Sequence, residues 1–60
     1  MPYVCYVHDP RAPVPYMEVL AEISLEEAAA AARRLLRERP EAETAELWQE
    51  DDLIRTLARA

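Results

Sequence analysis

The sequence predicts an α+β domain in which one helix packs on one face of a four-stranded, antiparallel-rich sheet, in the order ββαββ. Three patterns predict it: two β-branched and aromatic segments at the start, one well-capped helical segment in the middle, and two apolar-rich segments separated by acidic residues at the end. Sixty residues suffice for a single domain, 1–60. A domain of this size buries only about 60% of its unfolded surface, so tight packing or a partner chain is expected to support it.

The first two strands are expected at Tyr3–His8 and 16–23, where valine and tyrosine are frequent. Both faces of the first strand are largely apolar, so we expect it in the centre of the sheet. Residues 9–15 contain three prolines, which cannot donate hydrogen bonds to a sheet, so a loop is expected there. In the second strand, the expected core-facing residues are Met17, Val19, Ala21 and Ile23, and the opposite residues are Tyr16, Glu18, Leu20 and Glu22.

Ser24 is expected to cap the N-terminus of the helix, because Glu27 three residues later completes a capping box. The helix is expected over 25–39 and ends before Pro40, since a residue that precedes proline disfavours helical geometry. The core-facing stripe is expected to consist of Leu25, Ala28, Ala32, Leu35 and Leu36.

The last twenty residues allow two interpretations. They are rich in helix formers, so a second helix, giving ββαα, is the alternative. We favour a hairpin because the acidic residues 50–52 separate two apolar-rich pieces. In the hairpin Trp48 opposes Leu53, and Glu46 opposes Arg55 as an attractive cross-strand pair. The expected core face is Ala45, Leu47, Ile54, Thr56 and Ala58. The chain has no glycine, so an aspartate is expected to adopt the left-handed conformation that such turns require.

One helix is about 10 Å wide and covers only one face of four strands spaced about 4.8 Å apart. The uncovered face is expected to combine apolar anchors with a charged rim, which is the composition of an interface. The candidate protein-interface residues are Tyr16, Leu20, Trp48, Leu53, Arg55 and Leu57. We therefore expect a protein-interaction module that forms a homodimer or binds another protein. Scattered apolar residues on a half-solvated sheet are the competing interpretation.

The composition argues against several other functions. Twelve acidic against seven basic residues give a net charge of -5, which repels nucleic acid and membrane phosphates. The arginines that crowd the end of the helix are the only candidates for contacts with phosphate. Cys5 cannot form an internal disulfide and no apolar stretch approaches the roughly 20 residues of a membrane span, so a cytoplasmic location is expected.

Catalysis, metal binding and cofactor binding are not expected. Cys5 and His8 lie three residues apart on one strand, so their side chains should point to opposite faces. One cysteine and one histidine are too few for a zinc site, and residues 50–52 lack the fuller pattern of a calcium loop. Without glycine, none of the familiar phosphate-binding loops can be present.

The order hairpin, capped helix, final strands resembles the small partner-neutralising domains of HicB-type antitoxins. The resemblance covers Tyr6 through Ala32 and depends on the strand pair followed by Ser24-Leu25-Glu26-Glu27-Ala28. The glycine-containing segment typical of those proteins is absent, so no residue's role is carried over. The resemblance implies that this shape can serve as an inhibitor, here through the first hairpin. A designed binder that acts through the same hairpin is a further interpretation of the glycine-free composition.

Overall fold

The computed structural model describes residues 2–21 and 24–59, in which four antiparallel strands form one open sheet and one helix packs on it. The ββαββ fold class predicted from the sequence is therefore confirmed, and the alternative with a C-terminal helix is wrong. The elements are β1 (Tyr3–His8), β2 (Tyr16–Leu20), α1 (Leu25–Glu38), β3 (Thr44–Gln49) and β4 (Asp52–Ala58).

The first strand lies in the centre of the sheet, as predicted. The strand order is β2-β1-β3-β4, and each neighbouring pair is antiparallel. Two hairpins therefore meet at the central β1–β3 pair, and β2 and β4 form the edges. The chain leaves β2 at one edge and enters β3 after α1, which packs mainly on β3 and β1.

Ser24 caps the N-terminus of α1, as predicted. The backbone N–H of Glu27 donates to Ser24 Oγ at 3.1 Å, and the Ser24 hydroxyl donates to Glu27 Oε1 at 3.0 Å. The first bond satisfies one of the free N–H groups of the first helical turn. The helix ends at Glu38, one residue earlier than predicted, because Arg39 has a non-helical backbone (φ -123°, ψ 88°), as is usual for a residue before a proline.

Small side chains allow α1 to pack closely against the two central strands. Ala28 and Ala32 of α1 are fully buried, and so are Cys5 of β1 and Ala45 and Leu47 of β3. The buried cluster consists of Tyr3, Cys5, Val7, Leu20, Ala28, Ala31, Ala32, Leu35, Leu36, Ala42, Ala45 and Leu47. The described part of the chain buries no polar or charged side chain, so the core contains none that would need a buried partner.

The prediction for the inward face of β2 was wrong. Met17 and Val19, which were expected in the core, are 53% and 59% exposed, whereas Leu20 is only 2% exposed. Leu20 pairs with Tyr3 of β1, which is itself buried beneath the helix. Because α1 lies over the central strands, the edge strand contributes only its last residue to the buried cluster.

The predicted second strand also extended too far toward the helix. The strand ends at Leu20, and Ala21, which was expected in the core, is exposed. Glu22 and Ile23, which were assigned to the same strand, lie outside the described residues.

A β-bulge in β4 reverses the faces that the sequence predicted for its last residues. Trp48 pairs with Leu53, as predicted, but the neighbouring Leu47 pairs with Arg55, so Ile54 is an extra residue in β4. Because side chains alternate with a period of two, one extra residue moves every later side chain to the other face.

The bulge changes the cross-strand pairs and the core. Glu46 pairs with Thr56 and not with Arg55, so the predicted attractive pair does not form. Leu57, predicted on the uncovered face, packs against the core from the helix side. Ala58, predicted in the core, is exposed and pairs with Thr44 on the side away from the helix.

Glu50 has the left-handed backbone conformation that was expected of an aspartate. Glu50 and Asp51 connect the paired residues Gln49 and Asp52, and Glu50 has φ 55°. The left-handed region costs a residue with a Cβ about 1–2 kcal/mol, and glycine is the usual solution. The hairpin therefore forms at some expense of backbone strain in a chain without glycine.

Arg59 ties the end of β4 to the C-terminal end of α1. Its Nε donates to the carbonyl oxygen of Ala42 at 2.7 Å. Its Nη2 donates to the carbonyl oxygens of Leu36 and Arg39. The last carbonyls of a helix have no partner within the helix and carry partial negative charge, so a guanidinium is well suited to this position.

We predict that Arg59→Ala lowers the free energy of unfolding by about 1–2 kcal/mol, because it removes charge-assisted hydrogen bonds to the end of α1. The measurement is urea unfolding followed by circular dichroism. Arg55→Ala is the matched control, since it removes an exposed arginine from the same segment. Equal losses in the two variants would show that Arg59 does not stabilise the helix end.

Candidate interface on the open sheet face

The side of the sheet away from α1 carries a row of apolar side chains that crosses all four strands. The cross-strand register aligns Val19, Val4, Trp48 and Leu53, one residue from each strand, and we call these four residues the apolar row. The next aligned set is Met17, Tyr6, Glu46 and Thr56. We call the whole surface that these residues form with His8, Thr44 and Ala58 the open face.

Several apolar side chains of the open face are substantially exposed to solvent. Met17 is 53% exposed, Val19 59% and Leu53 49%. Val4 and Trp48, between the two edges, are half-buried by their neighbours on the adjacent strands. Contiguous apolar residues on a surface of this kind mark protein contacts more often than isolated ones do.

An aromatic pair stands in the middle of the open face. The rings of Tyr6 and Trp48 have centroids 6.5 Å apart and planes at 86°, an edge-to-face arrangement. The indole N–H of Trp48 donates to Glu46 Oε1 at 3.2 Å. Edge-to-face pairs are favoured by the ring quadrupoles, and the hydrogen bond fixes the indole further.

Glu46 is held as a carboxylate by its two neighbours. The hydrogen bond from Trp48 is the largest cause of its lowered pKa, and the His8 imidazole adds to it. His8 Nε2 lies 3.1 Å from Glu46 Oε1, an ion pair when the ring is protonated. His8 Nε2 has no hydrogen-bond partner in the described part of the chain.

These groups line an open cavity of about 380 Å³ on the open face. The lining residues are Val4, Tyr6, His8, Glu46, Trp48, Glu50 and Asp51. Small-molecule and side-chain sites in proteins have volumes from about 300 Å³ upward and combine apolar walls with a few polar groups. Here aromatic and aliphatic walls meet carboxylates from β3 and from the β3–β4 turn.

Comparisons of the chain with protein-family models, with curated proteins and with solved structures found no match. The functional interpretation of the open face therefore depends on its own geometry and chemistry.

The structure brings only two of the six predicted interface residues to the open face. Trp48 and Leu53 lie side by side in the apolar row. Leu20 is buried in the core, and Leu57 packs against it. The other two also belong to the helix side, since Tyr16 pairs with Val7 and Arg55 pairs with Leu47, both of which are buried there.

The six candidate interface residues named from the sequence omit several members of the open face. Val4, Tyr6 and His8 alternate with the buried residues of β1, so the alternation alone was sufficient to group them. Met17 and Val19 gave no such signal, because both faces of β2 carry apolar residues and either could have been the buried one.

A second cavity, of about 510 Å³, lies between the proline-rich loop and the end of α1. The guanidinium carbon of Arg39 lies 3.5 Å from the centre of the Tyr16 ring, a cation–π contact. Arg11 of the loop and Glu41 form an ion pair across the same gap. Internal contacts therefore already engage several side chains of this surface.

Cys5 and His8 lie on opposite sides of the sheet, as the sequence predicted. Cys5 is fully buried beneath α1, and burial raises the pKa of its thiol to about 11, while His8 lines the cavity on the open face. No three His, Cys, Asp or Glu side chains within residues 2–21 and 24–59 form a group that could hold a metal ion. In the same ranges, no helix has the length and apolar character needed to cross a bilayer.

We predict that Glu46→Gln removes a pH-dependent part of the stability. The pKa of Glu46 is lowered from 4.5 in the folded chain, so its stabilising contribution is present above pH 4.5 and is lost as the pH falls through the folded-state pKa. Urea unfolding followed by circular dichroism should show the variant to be less stable than the wild type at pH 7, with a smaller difference at pH 3.5.

Glu43→Gln is the control for this measurement, because it removes one exposed carboxylate outside the cavity. The difference in the free energy of unfolding between Glu43→Gln and the wild type should not change between pH 7 and pH 3.5. A difference between wild type and Glu46→Gln that stays constant from pH 7 to pH 3.5 would contradict the role of the Trp48 and His8 contacts.

Proposed function

We propose that the protein is a non-enzymatic interaction module that binds another polypeptide through the open face. The observation that carries the proposal is the apolar row, which is continuous across all four strands and exposed at both edges. An apolar surface that no element of its own chain covers is a characteristic of protein-binding sites. The proposed location is the cytoplasm, since the single cysteine requires no oxidising compartment.

Burial of the open face would provide a measurable free energy of association. Full burial of a valine, leucine or methionine side chain contributes about 1.5–3 kcal/mol. Met17, Val19 and Leu53 are each about half exposed, so covering the remainder of all three would contribute about 2–4 kcal/mol. The half-buried Trp48 lies beside Leu53 and supplies the aromatic anchor that binding hot spots commonly contain.

The dimensions of the domain suit such an interface. Its extents are 31 × 21 × 15 Å, so each broad side is of the same order as the roughly 800 Å² that a standard interface buries per partner. Two copies related by a two-fold axis could stack their open faces and form a homodimer, and a different protein could occupy the same surface. Both forms of binding use the apolar row.

A second candidate function uses the first hairpin, as an inhibitor-type or designed binder would. The observation that favours it is the position of the exposed large apolar side chains. Val14 is 73% exposed in the proline-rich loop, and Tyr16, Met17 and Val19 follow it in β2. Met17 and Val19 also belong to the open face, whereas Val14 and Tyr16 do not. Val14 is the more exposed of these two, so its substitution separates the two proposals.

We predict that Leu53→Glu abolishes association through the open face and that Val14→Glu leaves it unchanged. Leu53 is 49% exposed on an edge strand, so the substitution should be tolerated by the fold, which circular dichroism verifies. Sedimentation velocity at high micromolar concentration measures self-association, and capture from a native extract on the immobilised chain measures binding to other proteins. The opposite pattern, in which only Val14→Glu loses binding, would favour the first hairpin.

The proposal fails if the wild type sediments as a monomer and the Leu53→Glu variant captures every protein that the wild type captures. Retention of the same partners by both variants would place the binding surface elsewhere.

A further inference from the structure

We infer that the cavity on the open face receives an arginine side chain of a partner polypeptide, with apolar residues on either side of that arginine. The inference rests on the proposed function, because it names the partner chemistry of the same surface. It depends on three features of the cavity: its aromatic walls, the sign of its charges and its position next to the apolar row.

The charged side chains that line the cavity are mainly acidic. Its carboxylates are Glu46, Glu50 and Asp51, and its only other titratable groups are His8 and the Tyr6 phenol. Every arginine of the chain is described, and none of them lines this cavity. Apart from His8, which forms an ion pair with Glu46 when its ring is protonated, no cationic side chain among the described residues lines the cavity. A cation from outside the chain therefore complements its carboxylates.

The arginines are engaged or placed on other surfaces. Arg59 binds the end of α1, Arg39 stacks on Tyr16, and Arg11 pairs with Glu41. Arg33, Arg34 and Arg37 are exposed on α1, and Arg55 pairs with a buried residue of the helix side. None of these arginines lines the cavity, so they do not balance its carboxylates.

The walls of the cavity are suited to a planar cation. Tyr6 and Trp48 present π surface, which attracts a guanidinium or ammonium group, more strongly when water is displaced. Glu46 Oε1 already accepts a hydrogen bond from Trp48, and the carboxylate has further acceptor capacity at Oε2. This hydrogen bond holds the carboxylate in place beside the aromatic ring, so the site is organised before a ligand arrives.

Arginine fits this arrangement better than lysine does. A guanidinium stacks on aromatic rings and pairs with carboxylates through two parallel N–H groups, and it is less strongly hydrated than an ammonium. Val4 and Trp48 belong both to the cavity and to the apolar row, so a bound arginine would have apolar neighbours that reach Val19 and Leu53.

The charge distribution also favours a different protein, and not a second copy of this chain, as the partner that occupies the cavity. Two open faces brought together would place carboxylates near carboxylates, with no arginine of either face between them. Each copy carries a net charge of -5, which adds long-range repulsion. The cavity therefore points to a basic segment of another protein as its occupant.

The experiment selects twelve-residue peptides from a random phage-displayed library on the immobilised full chain. The affinities of the selected peptides are then measured at 50 and 300 mM salt for the wild type and for Glu46→Gln, Leu53→Glu and Glu43→Gln. Each selected peptide is also tested with its arginine replaced by lysine or glutamine, which leaves the protein unaltered.

We expect the selected peptides to be enriched in arginine beside apolar residues. Glu46→Gln and the arginine-to-glutamine peptide should each weaken binding about tenfold or more, the lysine peptide should bind with intermediate affinity, and Glu43→Gln should bind as the wild type does. Affinity should fall as the salt concentration rises, because part of the attraction is electrostatic.

Three results would overturn the inference. Peptides that lose binding in Leu53→Glu but show no enrichment in arginine would leave the proposed function standing and remove the arginine site. A wild type that forms a dimer sensitive to Leu53→Glu would make a second copy the occupant. Absence of any peptide whose binding depends on Leu53 would contradict both the inference and the proposed function.

Discussion

The whole structure depends on one geometric constraint: a single helix covers one side of a four-stranded sheet, and the other side has no covering element among the described residues. The core forms where α1 lies over β1 and β3, and it uses alanines on the helix to bring the layers close together. The exposure of the apolar residues on the open face follows from this arrangement, since no described helix lies over them.

The bulge in β4 determines which side chains belong to that open face. The extra residue Ile54 turns Leu57 inward to support the core, and it leaves Leu53 in line with Trp48 on the other side. An edge strand without the bulge would have placed Leu57 outside together with Leu53, at the expense of a core contact. A local irregularity in one strand therefore serves both the stability of the core and the composition of the surface.

The sequence was sufficient to predict the elements and their order, but not which face of each edge strand is buried. The helix cap at Ser24, the break before Pro40 and the pairing of Trp48 with Leu53 are local signals, and the structure confirms them. The faces of β2 and β4 depend on where the helix lies and on the bulge, which are tertiary properties. This is why Leu20 and Leu57 were assigned to the interface, although Leu20 belongs to the core and Leu57 packs against it.

The assignment of faces is tested most directly by the solvent exposure of methyl groups in the monomeric chain, measured by nuclear magnetic resonance with a soluble paramagnetic agent. The account predicts strong relaxation enhancement for the methyl groups of Val19 and Leu53 and protection of those of Leu20 and Leu57. Val19 and Leu20 are adjacent in sequence, so the comparison is internal to one strand. Enhancement of Leu20 with protection of Val19 would contradict the account, because it would mean that β2 presents its other face to the helix.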